Sequence, residues 1–251
     1  MKEQILDKLA ALEAERNIRI LYACESGSRA WGFESQDSDY DVRFYYVHQP
    51  EWYLSISEKR DVIENVGKVL DFNGWELRKM LRLFYSSNTS IYEKLQSPIV
   101  YREVPNFRDE LWQMAHEYYK PIAGIYSYLN LVRNFVRDEL SGDQVKLKKY
   151  FYVLRSLLAA KWVMHFDTVP PIEFGILRKL ESDNNEWNSL VDDLLMLKST
   201  GDESLKIPKN ELLTRYIATE IESLSAYVTH LKGKPRASTT KLDEFFRKWI
   251  I

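Results

Sequence analysis

The sequence predicts a two-part protein, an α/β segment followed by a mainly helical one, and three observations carry that reading. Short runs rich in β-branched and aromatic residues recur between residues 18 and 72. Helical spacing of apolar residues dominates after residue 105. The two textures meet at the extended stretch SPIVYREVP, 97 to 105. The expected domains are therefore residues 1–105 and 106–251. With 45% hydrophobic and 14% aromatic residues, the 251-residue chain can bury a large core or two smaller ones, which argues against disorder.

The elements follow in order. Ile5, Leu6, Leu9 and Leu12 mark one face of an amphipathic helix that ends near Asn17. Ile18 to Ala23 then reads as a strand, DVRFYYV (41 to 47) as the next, and RDVIENV with GKVLDF as two strands turning near Gly67. Asn73 with Glu76 forms an Asn version of the N-terminal capping box, predicting a helix over GWELRKMLRLFY. Beyond 105 the helical pattern is interrupted only at Pro121, SGD, VPP and STGDES.

Charge and cysteine content narrow the setting. Thirty-five Lys and Arg against 37 Asp and Glu give a net charge of -2, so nucleic-acid binding by the whole-molecule field is excluded and only a local basic patch could supply it. The single cysteine, Cys24, lies in the apolar run IRILYAC and reads as a small buried side chain; alone it forms no internal disulfide, which suits a reducing cytosol. The N-terminus mixes acids with apolar residues, unlike a signal peptide, and no window reaches the roughly 18 consecutive apolar residues of a membrane helix. A cytoplasmic protein without a membrane segment is expected.

The stretch ESGSRAWGFESQDSDYDVRFYYV holds the chemistry. Side chains alternate along a strand, so Asp39 and Asp41 are expected on one face with Tyr40 on the other. Two carboxylates this close repel unless a cation lies between them, and oxygen ligands suit Mg²⁺ or Mn²⁺. Magnesium usually completes its shell with substrate phosphates. Gly27-Ser28, directly after a strand, offers close backbone approach and a hydroxyl for a phosphate oxygen. Arg29 and Arg43 are further candidates for phosphate contact or carboxylate pairing. Either half alone is a common turn or a solvated acidic loop; their order is the restrictive feature.

Gly27-Ser28, a ten-residue spacer and Asp39-Tyr40-Asp41 at a strand start resemble the signature of the DNA polymerase β-like nucleotidyltransferase superfamily. With GSRAWGF, DSDYDVRF, EWYL, DFNGWELRK, LQSPIVY and KKYFYVLRSLLAAKW, the chain is similar to nucleotidyltransferases associated with RNA ligases in RNA-repair clusters. The resemblance spans most of residues 20 to 165. It implies an α+β fold, a small mixed sheet with helices followed by a mainly α-helical domain that closes the nucleotide cleft. It also implies three carboxylates holding two metal ions about 3.5 to 4 Å apart. By order the third is Asp71, with Glu64 or Asp61 as substitutes and a turn or cap as the structural reading of Asp71.

That resemblance implies transfer of NMP from an NTP, ATP among them, to an acceptor hydroxyl with release of pyrophosphate. RNA ends and a partner RNA ligase are the implied acceptor and companion. A protein or small-molecule acceptor, or a non-catalytic binding protein with the same fold, are the alternatives.

Residues 144 to 166 carry five Lys or Arg and no acid. On one helix Lys148, Tyr152 and Arg155 share a face that could meet a triphosphate, although charge runs also occur as solvated faces. His48, His116, His165 and His230 show no zinc spacing. Trp31, Trp75 and Trp162 could stack a base or fill a core. The basic tail, from KGKPR (232 to 236) to Lys248, reads as a solvated terminus or a nucleic-acid contact.

Overall fold

The computed structural model describes residues 1–67, 69–231, 233 and 235–251; Lys68 of the expected strand pair, and Lys232 and Lys234 of the basic tail, lie outside the described residues. The chain divides into two compact units. The first comprises residues 1–30, 39–118 and 235–251, the second residues 31–38 and 119–234.

In the first unit, helix α1 (Lys2–Arg16) buries Ile5, Leu9 and Leu12 and ends on Asn17 in the left-handed conformation, a common stop for a helix. Strand β1 (Ile18–Ser26) follows, then the short helix α2 (Gly27–Trp31), β2 (Tyr40–His48), α3 (Pro50–Tyr53), β3 (Val62–Val66) and β4 (Leu70–Glu76). Helices α4 (Leu77–Tyr85) and α5 (Thr89–Leu95), strand β5 (Val100–Glu103) and helix α6 (Phe107–Tyr118) complete this stretch.

The five strands form one mixed sheet in the order β3-β4-β2-β1-β5. β1 runs antiparallel to β2 and β5, and β2 runs parallel to β4. One face of the sheet packs Ile18, Ile20, Val42, Phe44, Tyr46 and Phe72 against Ile5, Leu9 and Leu12 of α1. Each such side chain removed from water contributes roughly 1.5–3 kcal/mol, and because side chains alternate, the opposite face is left for other work.

Two expectations change. Asn73 lies inside β4, and the helix begins after it. Glu76 is the cap, its carboxylate accepting from the backbone N–H of Arg78 and Lys79 and from the Tyr53 hydroxyl. The Asn73–Glu76 spacing imitates a capping box, but pairing with β2 and β3 keeps residues 70–76 extended.

The boundary near 105 also gives way. The first unit keeps α6 and regains the end of the chain as α12 (Thr240–Ile250). Phe107 is fully buried, its ring 5.5 Å from that of Phe245 and 5.4 Å from that of Trp249. Periodicity shows that α6 and α12 are amphipathic without showing which partner each covers.

The second unit holds α7 (Pro121–Glu139), β6 (Gln144–Lys146), α8 (Leu147–Phe166), α9 (Phe174–Leu177), α10 (Asn185–Thr200), β7 (Lys206–Pro208) and α11 (Glu211–Thr229). Twelve of the twenty residues of α8 are buried, which makes it the central helix of this unit.

Candidate active site in the first unit

The parallel register of β2 and β4 sets Asp41 directly opposite Asp71. Both lie on the sheet face turned away from α1. Between them stands a cation from the same chain: Arg43 Nη2 donates to Asp41 Oδ1 and to Asp71 Oδ2, each at 2.8 Å. Its Nη1 donates to the carbonyls of Val42 at 3.2 Å and Asp71 at 3.1 Å. Burial raises the Asp41 carboxyl above its ordinary range, Arg43 opposes that shift, and Asp71 and Asp39 add to it.

Asp41 is held from two other sides. Its backbone N–H donates to Glu25 Oε1 at 2.7 Å. Glu25 is fully buried near the end of β1, also accepts from the Tyr101 hydroxyl, and burial pushes its carboxyl up. On the other side is Gly27, at φ +66°, where an added Cβ would fall 2.2 Å from Asp41 Oδ2. The glycine of the Gly-Ser pair is thus required by the carboxylate it faces.

The other sequence candidates fall as follows. Ser28 is buried. Arg29 lies with its guanidinium carbon 3.8 Å from the Tyr40 ring centroid and its Nε donating to the Asp39 carbonyl. Asp39 is exposed one residue before β2 begins, so the strand alternation expected of the Asp39–Asp41 pair does not reach it. Of the three options for a further carboxylate, Asp71 is the one brought to Asp41. Asp61 pairs instead with Lys79 at 2.9 Å, and Glu64 with Arg60 on the exposed edge strand β3.

Deeper on the same face lie Cys24 and Lys94. Burial pushes the Cys24 thiol up to about 12, leaving it protonated and unreactive. Lys94 is buried, its Nζ 3.6 Å from the centroid of the Trp75 ring, and burial lowers its ammonium to about 7. Trp75 therefore packs against this buried amine.

In the second unit the spacer between the two motif halves is tied down. Glu203 accepts from the Ser38 hydroxyl at 2.5 Å and the Ser35 hydroxyl at 3.2 Å, and pairs with Lys148 at 2.6 Å and Lys198 at 3.5 Å. Burial acts to raise the Glu203 carboxyl, but Lys148, Ser38 and Lys198 together bring it to about 2. Tyr152 meets Trp31 edge-on at 5.3 Å, and the buried Arg155 lies 4.1 Å over the Trp31 ring while its Nε donates to the Ile172 carbonyl. Lys148, Tyr152 and Arg155, expected from the sequence to meet a triphosphate, thus make close contacts within their own unit. Glu25 and Glu203 went unnoticed in the sequence. Glu25 could have been found as an acid closing an apolar strand; nothing local marks Glu203.

The profile of the RlaP family, described as the RNA repair pathway DNA polymerase beta family, matches residues 1–248. The chain belongs to this RNA-repair polymerase-β family. A relative within reach of direct alignment is the uncharacterized protein YcgL of Bacillus subtilis strain 168, 44% identical over 244 residues that span 97% of this chain and 94% of that one. Among solved structures, a nucleotidyltransferase-like protein from Exiguobacterium sibiricum 255-15 aligns over 97% of this chain and 80% of its own at 12% identity, with a TM-score of 0.33.

For a member of this family the donor set invites a metal test. Among the described residues, no three His, Cys, Asp or Glu side chains converge as a metal site. The pair Asp41 and Asp71 nevertheless fits a divalent ion. The two carboxylates face each other in register, and a positive group already sits between them, in the place such an ion would take.

Proposed function

We propose that this protein transfers a nucleotide from an NTP to an acceptor hydroxyl, with an RNA end as the acceptor and pyrophosphate as the other product. The observation that carries this reading is the pair Asp41 and Asp71, set opposite each other by strand register and bridged by a cation.

Asp41 and Asp71, joined by Asp39, would hold Mg²⁺ or Mn²⁺, two ions at full occupancy. The bound metal supplies a Lewis acid that stabilises charge on the α-phosphate and favours loss of the acceptor proton. The chain's own groups do the rest. Glu25 fixes the backbone at Asp41, and Gly27 leaves room for its carboxylate. Ser28 and Arg29 bind the outer phosphates. Asp71 takes the proton of the acceptor hydroxyl, whose oxygen forms the new bond to the α-phosphorus as the bond to the β-phosphate oxygen breaks. Arg43 offsets part of the charge of the two carboxylates and keeps them in place when no ion is bound. In the second unit Lys148, Tyr152 and Arg155 remain proposed phosphate-contacting groups, Lys148 by exchanging Glu203 for phosphate.

A second reading, a binding protein that keeps the fold without the chemistry, draws on the same Arg43 bridge: a guanidinium held by both carboxylates would make a metal unnecessary. One experiment separates the two. The protein is incubated with each α-labelled NTP, Mg²⁺ or Mn²⁺, and RNA bearing free ends, beside its Asp41→Asn and Asp71→Asn variants. Label on RNA that disappears in both variants supports transfer. Label on no acceptor, with unaltered ion binding in the variants, supports the binding protein.

A further inference from the structure

At the far end of the sheet from Asp41 and Asp71 the first unit carries a cleft that the reading above leaves unused. β2 ends at His48 and β4 at Glu76, and beyond them a hollow of about 360 Å³ opens between the exposed loop after α3 and the first turns of α4. A second hollow of about 350 Å³ adjoins it, and Arg78 and Arg82 line both. These two arginines, one turn apart on α4, share a helix face, so the hollows form one groove with a guanidinium wall.

At the surface of the groove the cations Lys59, Arg78 and Arg82 slightly outnumber the acids Glu58 and Asp243. Asp61 is paired with Lys79, and Glu76 is buried below the groove, accepting from the Tyr53 hydroxyl and two backbone N–H groups. Asp243, in the second hollow, accepts from the Thr239 hydroxyl. Lys59, Arg78 and Arg82 make no ion pair among the described residues, and the acid of the first hollow left untied is Glu58.

The groove is also aromatic. The Arg78 guanidinium lies beside the rings of Tyr53, at 5.2 Å, and Phe246, at 5.1 Å, which themselves meet edge-on at 5.4 Å. Trp52 lines the cleft, backed by a parallel His48 ring at 4.2 Å and 9°, with the Lys59 ammonium 5.5 Å from the indole centroid. Cations spaced along a groove beside aromatic faces are what a single-stranded polynucleotide requires, phosphates on the cations and bases on the rings. Two hollows joined by shared arginines suit a strand of successive nucleotides better than one isolated nucleotide.

We infer that this groove binds single-stranded RNA away from the Asp41–Asp71 site, so that the protein grips a substrate strand at a second point. The inference rests on the RNA reading of the acceptor. Its test is the affinity of the full-length protein for a fluorescein-labelled single-stranded RNA 12-mer, read by anisotropy over a range of salt concentrations. Lys59→Ala with Arg82→Ala should weaken binding about tenfold and make the salt dependence shallower by about 1.4, roughly 0.7 for each lost contact. Trp52→Ala should weaken it about fivefold or more, with the salt slope kept, because stacking releases no counterions. Thermal midpoints and Mn²⁺ binding should stay as in the native protein.

Unchanged affinity and slope in the double variant, while the native protein binds RNA, would overturn the groove alone. Displacement of the RNA by an acidic peptide or a free nucleotide at equal concentration would overturn it in favour of those ligands. A native protein that binds no RNA overturns both the groove and the RNA reading of the function. Loss of label transfer with the groove effects intact leaves the groove standing and removes the transfer.

Discussion

Replacing Gly27 by alanine tests the centre of the site, and its size can be worked out beforehand. The residue sits at φ +66°, where an L side chain costs roughly 1–2 kcal/mol. The new methyl would meet Asp41 Oδ2 at 2.2 Å, against the 3.0 Å that real Cβ contacts respect, so the carboxylate must retreat by about 0.8 Å. For a chain of this length the strain alone lowers the melting temperature by about 2–8 °C. A retreat close to 1 Å at a reacting group costs on the order of a hundredfold in rate. Calorimetry, Mn²⁺ titration and label transfer to RNA measure the three effects. Gly32 is the control, being at φ +80° with nothing within 4 Å of an added Cβ, so Gly32→Ala should lose stability but keep rate and ion affinity. Native rate and ion affinity in Gly27→Ala would refute the seating of Asp41 against the glycine. Equal rate losses in both variants would refute its being specific to the site.

Three further outcomes are expected. Arg43→Ala leaves two facing carboxylates without their cation; the ion-free protein should lose about 1–3 kcal/mol in urea unfolding, and Mn²⁺ measured by titration calorimetry should bind more tightly and restore it. An unchanged Mn²⁺ affinity would show that Arg43 and the ion do not share a place. Lys94, lowered to about 7, releases its proton in the folded chain while the unfolded chain keeps it to about 10.5, so from pH 7 to 9 this group makes stability rise with pH by up to about 1.4 kcal/mol per unit. Lys94→Met should remove that rise from the urea midpoints; identical slopes would argue against a buried neutral amine. Glu203, held at about 2 against an ordinary 4.5, adds stability that is complete above pH 5 and is lost as pH falls from 4.5 through 2; Glu203→Gln should cost about 1–3 kcal/mol at pH 7 and little near pH 2.

Much of the site could be read in the sequence because it is written at short range. The Gly-Ser turn, Asp39 and Asp41 at the head of β2 and the later Asp71 each stand in local patterns, and strand alternation places Asp41 and Asp71 on definite faces of their strands. What escaped depends on partners far along the chain. The Ser35 and Ser38 hydroxyls meet an acid more than 160 residues away, which assigns their spacer to the second unit. Asn73 looked like a cap because a capping box and a strand end share residue types, and only pairing with β2 and β3 decides between them. Arg43 was a phosphate candidate and a carboxylate candidate alike; the parallel register, invisible in the residues, brings Asp71 within its reach. The groove at Trp52 and Arg82 gathers side chains from α3, the loop after it, α4 and α12, and no single window of sequence contains it.

The return of α12 to the first unit has a consequence for how the protein is born. Tyr118 and Tyr85 donate their hydroxyls to the carbonyls of Ser238 and Ala237, and Phe245 and Trp249 cover Phe107. In the order of synthesis the five strands of this sheet lie within the first 103 residues, yet the helix that closes their unit follows only after the whole second unit. A product that stops before Thr240 carries Asp41 and Asp71 but leaves Phe107 without the rings of Phe245 and Trp249. With its aromatic core open on that side, such a fragment is expected to be cleaved by protease faster than the full chain.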